Sequence, residues 1–199
     1  MRIGFLLLIF IWGLKLEAQK LYSRYSSSFF ENKEYEILLS NEVDSSYSIF
    51  IEMQAKNGSD KGGMIITKSS HASFLDTMKV LRKKYLDWSN IAVENKVKDL
   101  DKSIDIDYSP DACYFKPGIN THLDWSSNFV FLFKVIEYKP MVIIWSQKLI
   151  SESNKLITNE GYYLTFKSLA EMDKFISLLN IDKIKSYLSK PPTKDIFKN

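Results

Sequence analysis

The chain has 199 residues, 45% of them apolar and 14% aromatic, a composition that builds a buried core and excludes a disordered chain. Its 27 basic and 24 acidic residues leave a net charge of +3, and only Arg2, Arg24 and Arg82 are arginines. So small an excess, carried almost wholly by lysine, argues against nucleic-acid recognition, in which bidentate arginine reads bases and phosphates.

In chain order the first element predicted is an export signal over residues 1–19, MRIGFLLLIFIWGLKLEAQ. Arg2 supplies the positive start, residues 3–14 are an unbroken apolar run, and the small residue Ala18 precedes a change to polar composition. A transmembrane anchor needs roughly 20 apolar residues, and Lys15 and Glu17 close this run well short of that. Leu16, bulkier than the residue favoured two positions before a cleavage site, leaves the cut open within a few residues. No cysteine follows the run to carry a lipid. The expectation is release in soluble form into the periplasm or outside the cell, with no stable membrane span after cleavage. Residues 20–190 are expected to form a single domain, and Pro191-Pro192 to leave 191–199 as a flexible tail. Cys113 is the sole cysteine, so no intramolecular disulfide can form, and its neighbours Ala112 and Tyr114 mark it as a small buried residue in a strand.

Residues 21–30, rich in Ser and Tyr, have no clear period. Residues 35–39 and 47–55 read as strands. In the second, Tyr47, Ile49, Ile51 and Met53 alternate with Ser48, Glu52 and Gln54, the pattern of a sheet with one solvated side. Residues 56–63 form a hairpin turn by composition; a phosphate loop would need a following Lys-Ser/Thr and a helix. A strand resumes at 64–67. Ser69 or Ser70 then caps a predicted helix running to about Lys98, with Phe74, Met78, Leu81, Tyr85, Trp88 and Ala92 in one stripe that Leu75 and Ile91 widen. At ~1.5 Å per residue so long a helix is expected to break near Ser89-Asn90.

The second half is strand-rich, with candidates at 103–108, 112–116, 128–137, 141–147 and 162–166. Phe129, Phe131, Phe133 and Val135 face one way and Val130, Leu132 and Ile136 the other, so a central hairpin turning at 138–140 is expected to be covered on both faces, with Trp88 and Trp145 in the core. Ser168 with Glu171 forms a capping box for a helix over 169–179, and residues 181–188 continue helical. The fold class predicted is α+β: a mainly antiparallel sheet, one long amphipathic helix packed on it and short C-terminal helices.

Chemistry-bearing residues are few. His71 falls in the first turn of the long helix, where a surface position is expected. His122, Asp124 and Trp125 share the polar stretch 120–128, read as a connecting loop. A Ser-His-Asp system there would use His122 as base, Asp124 as orienter and a serine at an exposed turn, but no Gly-x-Ser-x-Gly elbow presents that serine. Asp105 and Asp107, near Asp99 and Asp101, are the densest carboxylates, yet the glycine and further oxygen ligands of a calcium loop are missing. Solvated aspartates with Ile104, Ile106 and Tyr108 turned inward are the expectation, and no metal or cofactor is expected. Trp125 either folds back as a lid on the core or offers an exposed ring suited to a sugar or a partner protein. The leading expectation is an exported, soluble, non-enzymatic binding or interaction protein with an unidentified protein or glycan partner at His122, Asp124 and Trp125. Alternatives are a small secreted hydrolase built on His122 and Asp124, and an envelope-associated structural subunit acting through an exposed sheet edge.

Overall fold

Alternation along the first strands puts Tyr35, Ile37, Leu39, Tyr47, Ile49 and Ile51 on one face, and all six are buried. The computed structural model describes residues 19–41, 46–58 and 60–189; the predicted leader, apart from Gln19, and the predicted tail lie outside them. Strands β1 (Lys20–Ser27), β2 (Lys33–Asn41), β3 (Tyr47–Glu52), β5 (Lys61–Thr67), β7 (Ala112–Lys116) and β8 (His122–Asp124) form one antiparallel sheet in the order β1-β2-β3-β5-β7-β8. A second antiparallel sheet has the order β4-β13-β10-β9-β6, with β4 at Gln54–Ala55, β6 at Leu100–Ile104, β9 at Val130–Ile136, β10 at Lys139–Trp145 and β13 at Tyr162–Phe166. A short ribbon pairs β11 (Leu149–Ile150) with β12 (Thr158–Asn159).

The class is mixed α+β with antiparallel sheets, but the strands divide between two main sheets. The division falls inside the strand predicted over 47–55. Its alternation is unbroken, yet buried Met53 donates its N–H to the Gly62 carbonyl at 2.8 Å and interrupts the ladder. Gln54 and Ala55 pair with Tyr163 and Tyr162 in the second sheet. One hydrophobic cluster accordingly takes residues from both sheets and from the helices.

Helix α1 (His71–Glu94) runs without the expected break and stops before Lys98, because Lys96 adopts a left-handed φ of 50° and the Asn95 side chain donates to the Ile91 carbonyl at 2.8 Å. Ser70 stands at its N-cap but does not cap it; its hydroxyl donates to the Asp111 carboxylate instead. Phe74, Met78, Leu81, Tyr85 and Ala92 bury the stripe, and Tyr85 and Trp88 meet Phe133 of β9 edge-on, at 6.4 and 5.5 Å between ring centres. Ile91, expected in the stripe, is 54% exposed. Ser168 caps α2 (Leu169–Leu178) by accepting the Glu171 N–H at 3.1 Å. The Glu171 carboxylate accepts from the Lys167 and Ser28 amides at 2.7 and 3.1 Å, which ties the cap to the chain leaving β1. Asn180 caps α3 (Ile181–Leu188) through the Lys183 N–H at 3.1 Å.

Four further expectations are corrected. The hairpin between β9 and β10 turns at Glu137-Tyr138, both left-handed with φ of 49° and 66°, and Lys139 and Pro140 already belong to β10. Only one face of that hairpin is covered; on the other Val130, Leu132, Ile143 and Trp145 are half-buried, so Trp145 is a flank residue with the Lys56 ammonium 5.0 Å from its ring centre. Strand β6 ends at Ile104, leaving Asp105 and Asp107 exposed beyond it. His71 is 1% exposed: its Nδ1 lies 2.9 Å from the Tyr47 hydroxyl and its Nε2 2.7 Å from the Leu179 carbonyl, bridging β3 to the end of α2.

Candidate functional site

The polar stretch that holds His122, Asp124 and Trp125 is a strand for three residues, not a loop. Leu123 packs on the outer face of the first sheet beside Tyr114, while His122 and Asp124 stand opposite Phe115 and Cys113 on the inner face. Beyond them the chain turns at Trp125 and Ser126.

What fixes this edge is an arm from the other sheet. Between β10 and β13, which pair with each other, the chain makes an excursion that includes β11 and β12. It leaves at Gln147 (φ 47°) and returns at Gly161 (φ 98°), where a Cβ would lie 2.0 Å from the Gln147 carbonyl oxygen, so only glycine closes the neck. The arm reaches β8: the Glu152 N–H donates to the Leu123 carbonyl at 2.9 Å.

Asp124 is the staple between the two. It is 3% exposed. Its Oδ2 accepts the Ile150 N–H of the arm at 2.8 Å, and its Oδ1 accepts the Ser126 N–H and hydroxyl at 2.9 and 3.2 Å. The second pair is an Asx turn, which fixes the backbone on both sides of Trp125. Trp125 points the other way and is 52% exposed. The three predicted residues therefore adjoin without sharing a cleft: Asp124 faces in and Trp125 faces out.

His122 tilts over Phe115, with 5.6 Å between ring centres, and its Nδ1 lies 3.0 Å from the Ser151 Oγ. A serine in contact with an imidazole is half of an acyl-transfer arrangement. Here the serine is fully buried, its Oγ also accepts the Asn154 N–H at 3.2 Å and lies 3.0 Å from the Ser153 hydroxyl. Asp124, the expected orienter, gives its oxygens to Ser126 and Ile150. Ser151 thus works as a hydrogen-bonding post for the arm. Cys113, across from Asp124, is equally withdrawn. Burial pushes its thiol up to about 12, the Asp124 charge adds to that and the Ser127 hydroxyl opposes it, so no reactive thiolate forms near neutrality.

Ser151, Ser153 and Ile150 are the members of this site that sequence reasoning missed. Ile150 and Ser151 lie 26 and 29 residues from Asp124 and His122, Ser153 joins through Ser151, and nothing local in Leu149–Ile150 and its surroundings signals a pairing. Two other exposed aliphatic side chains stand on the connections nearby: Ile119, 96% exposed, between β7 and β8, and Leu156, 92% exposed, between β11 and β12. Among the described residues no cluster of His, Cys, Asp and Glu is arranged to hold a metal ion. No family model, no curated protein and no solved structure matches the chain.

Proposed function

We propose that this is an exported, soluble, non-enzymatic binding protein whose contact surface is the turn after β8, centred on Trp125. One observation carries the reading. A half-exposed indole sits on a turn already held by the Asx turn of Asp124 with Ser126, and Asp124 is itself fastened to the arm through Ile150. Exposing a large apolar ring has no folding advantage, whereas a pre-ordered aromatic anchor binds with little further loss of entropy. An exposed aromatic face of this kind suits a protein or glycan partner. Export rests on the leader at residues 1–19; among the described residues no helix is long and apolar enough to cross a membrane.

The reading is tested by comparing the wild type with Trp125→Ala on an array of cell-surface glycans and, in parallel, against the outer-surface protein fraction of the producing cell. The expected result is a bound species whose affinity falls at least tenfold in the variant while the melting temperature stays unchanged. Retention of every bound species by Trp125→Ala would remove the surface from consideration. Loss of a hydrolytic activity in His122→Ala at unchanged stability would replace the reading with the hydrolase one.

A further inference from the structure

The geometry points to a second, separate docking site: a groove between α1 and the free edge of β6 that takes an extended peptide, with an aliphatic side chain in the groove and an acidic side chain two residues away. The site does not depend on the Trp125 surface.

The two main sheets have four edge strands, and three of them are dealt with. The arm covers β8 through the Glu152–Leu123 hydrogen bond. Strand β1 lies against the C-terminal helices, with the Tyr22 hydroxyl donating to the Leu178 carbonyl and the Tyr187 hydroxyl to the Leu21 carbonyl, at 2.9 and 2.8 Å. Strand β4 is only two residues long. Strand β6 has five residues, the first four exposed, and among the described residues β9 is its one neighbour in the sheet. A strand edge with open backbone groups accepts an added strand.

Beside that edge the molecule opens a cleft of about 130 Å³ lined by Trp88, Ile91 and Ala92 of α1, by Val97 and Leu100, and by Phe133 at its floor. This is close to the ~150 Å³ of an apolar cavity that holds a benzene ring, hence room for one branched aliphatic side chain. Ile91 and Leu100 stand 54% and 39% exposed at the rim, with Val93 67% exposed alongside on the helix. The polar rim is basic: the ammonium groups of Lys102 and Lys84 lie 4.2 and 5.2 Å from the centre of the Trp88 ring. The carboxylates nearest in sequence on β6 and before it are engaged elsewhere, Asp101 with Lys134 at 2.7 Å and Asp99 with the Glu137 N–H at 3.2 Å.

These features select one occupant. An added strand presents alternate side chains to the same face. A side chain entering the cleft and its neighbour two positions along therefore both face α1, and the neighbour meets the two lysines. An acidic residue satisfies them.

The test uses the full chain on arrayed heptapeptides with a threonine background, in which positions 2 and 4 run through all residue types. The wild type is expected to select an acidic residue at one of these positions and Leu, Ile or Val at the other. Proline scanned along the peptide should abolish binding at alternate positions, those whose N–H groups face β6. Ile91→Asp, at an exposed position and with an unchanged melting temperature as control, should weaken the selected peptides at least tenfold. Lys102→Glu should exchange the acidic preference for a basic one. Absence of selection, or selection that survives Ile91→Asp, overturns the proposal. So does concentration-dependent dimerisation that Ile91→Asp abolishes, because the edge would then serve a second copy of this chain.

Discussion

Strands β8 and β6 are both sheet edges, and the protein treats them in opposite ways. At β8 an arm from the other sheet is fastened down by the buried Asp124 carboxylate, the buried Ser151 hydroxyl and a glycine neck, and one indole is put on display. At β6 no strand among the described residues pairs with the outer edge, and α1, which buries Phe133, leaves a cleft of about 130 Å³ between Ile91 and Leu100. Polar satisfaction marks an edge the fold uses for itself; an open backbone beside an apolar cleft marks one available to something else. Mutations that treat the two edges alike should therefore give different answers.

The largest effect belongs to the floor of the β6 cleft. Phe133 is fully buried under Tyr85 and Trp88. Phe133→Ala should lower the unfolding free energy by about 3–5 kcal/mol, the range for removing a buried aromatic ring, read from the midpoint of urea unfolding. A loss below about 1 kcal/mol would mean that the cleft floor is already loose and that the contrast with β8 is one of packing alone.

At β8 the corresponding probe is polar. Asp124→Ala removes a buried acceptor from the Ile150 and Ser126 amides, both of which belong to exposed residues. Hydrogen bonds to charged groups contribute about 1.5–3 kcal/mol, and water reaches the freed amides, so a loss of about 2 kcal/mol is expected. Amide exchange at Ile150 should quicken more than exchange in β13, because the arm loosens before the sheet it comes from. If Ile150 and β13 quicken together, Asp124 is a global core residue and does not specifically hold the arm.

That contrast also explains what could be read in advance. Residues 112–116 and 162–166 are strands as expected, and Ser168 with Glu171 caps α2, because alternation and capping are signals written within a few neighbouring residues. Met53 breaks its strand through Gly62 and the second sheet, which alternation along 47–55 cannot record. His71 sits among serines like a surface residue, yet its partners Tyr47 and Leu179 are 24 and 108 residues away. His122, Asp124 and Trp125 were legible as the chemically mixed stretch. That Asp124 holds the fold while Trp125 is left over for binding depends on Ile150, whose approach is a matter of tertiary structure.

A pH titration separates the interior from both edges. Burial lowers the His71 pKa, only partly offset by the hydrogen bond to the Leu179 carbonyl, so the folded protein holds a neutral imidazole where the unfolded chain takes up a proton below about pH 6.5. The stability this neutrality confers is present above that pH and is lost as pH falls toward the depressed folded value. The wild type should lose stability between pH 7 and pH 5, and His71→Gln should flatten that slope at the expense of stability at pH 7. An unchanged slope in the variant would assign the acid response to groups other than His71.

The smallest expected effects decide most about the comparison. Trp125 and Ile91 are 52% and 54% exposed, one at each edge. Replacing an exposed side chain of this kind typically changes stability by no more than about 0.5 kcal/mol, so Trp125→Ala and Ile91→Ser should each unfold at nearly the wild-type urea midpoint. Residues on separate elements without shared partners should also add within about 0.5 kcal/mol in the double variant. A cost above about 1.5 kcal/mol at Trp125 would mean that its ring belongs to the packing of the arm, and the same cost at Ile91 would mean that the helix wall needs it. Near-zero costs at both leave their exposure without a folding cause, and at two edges of opposite construction that shared property is what a binding role for each requires.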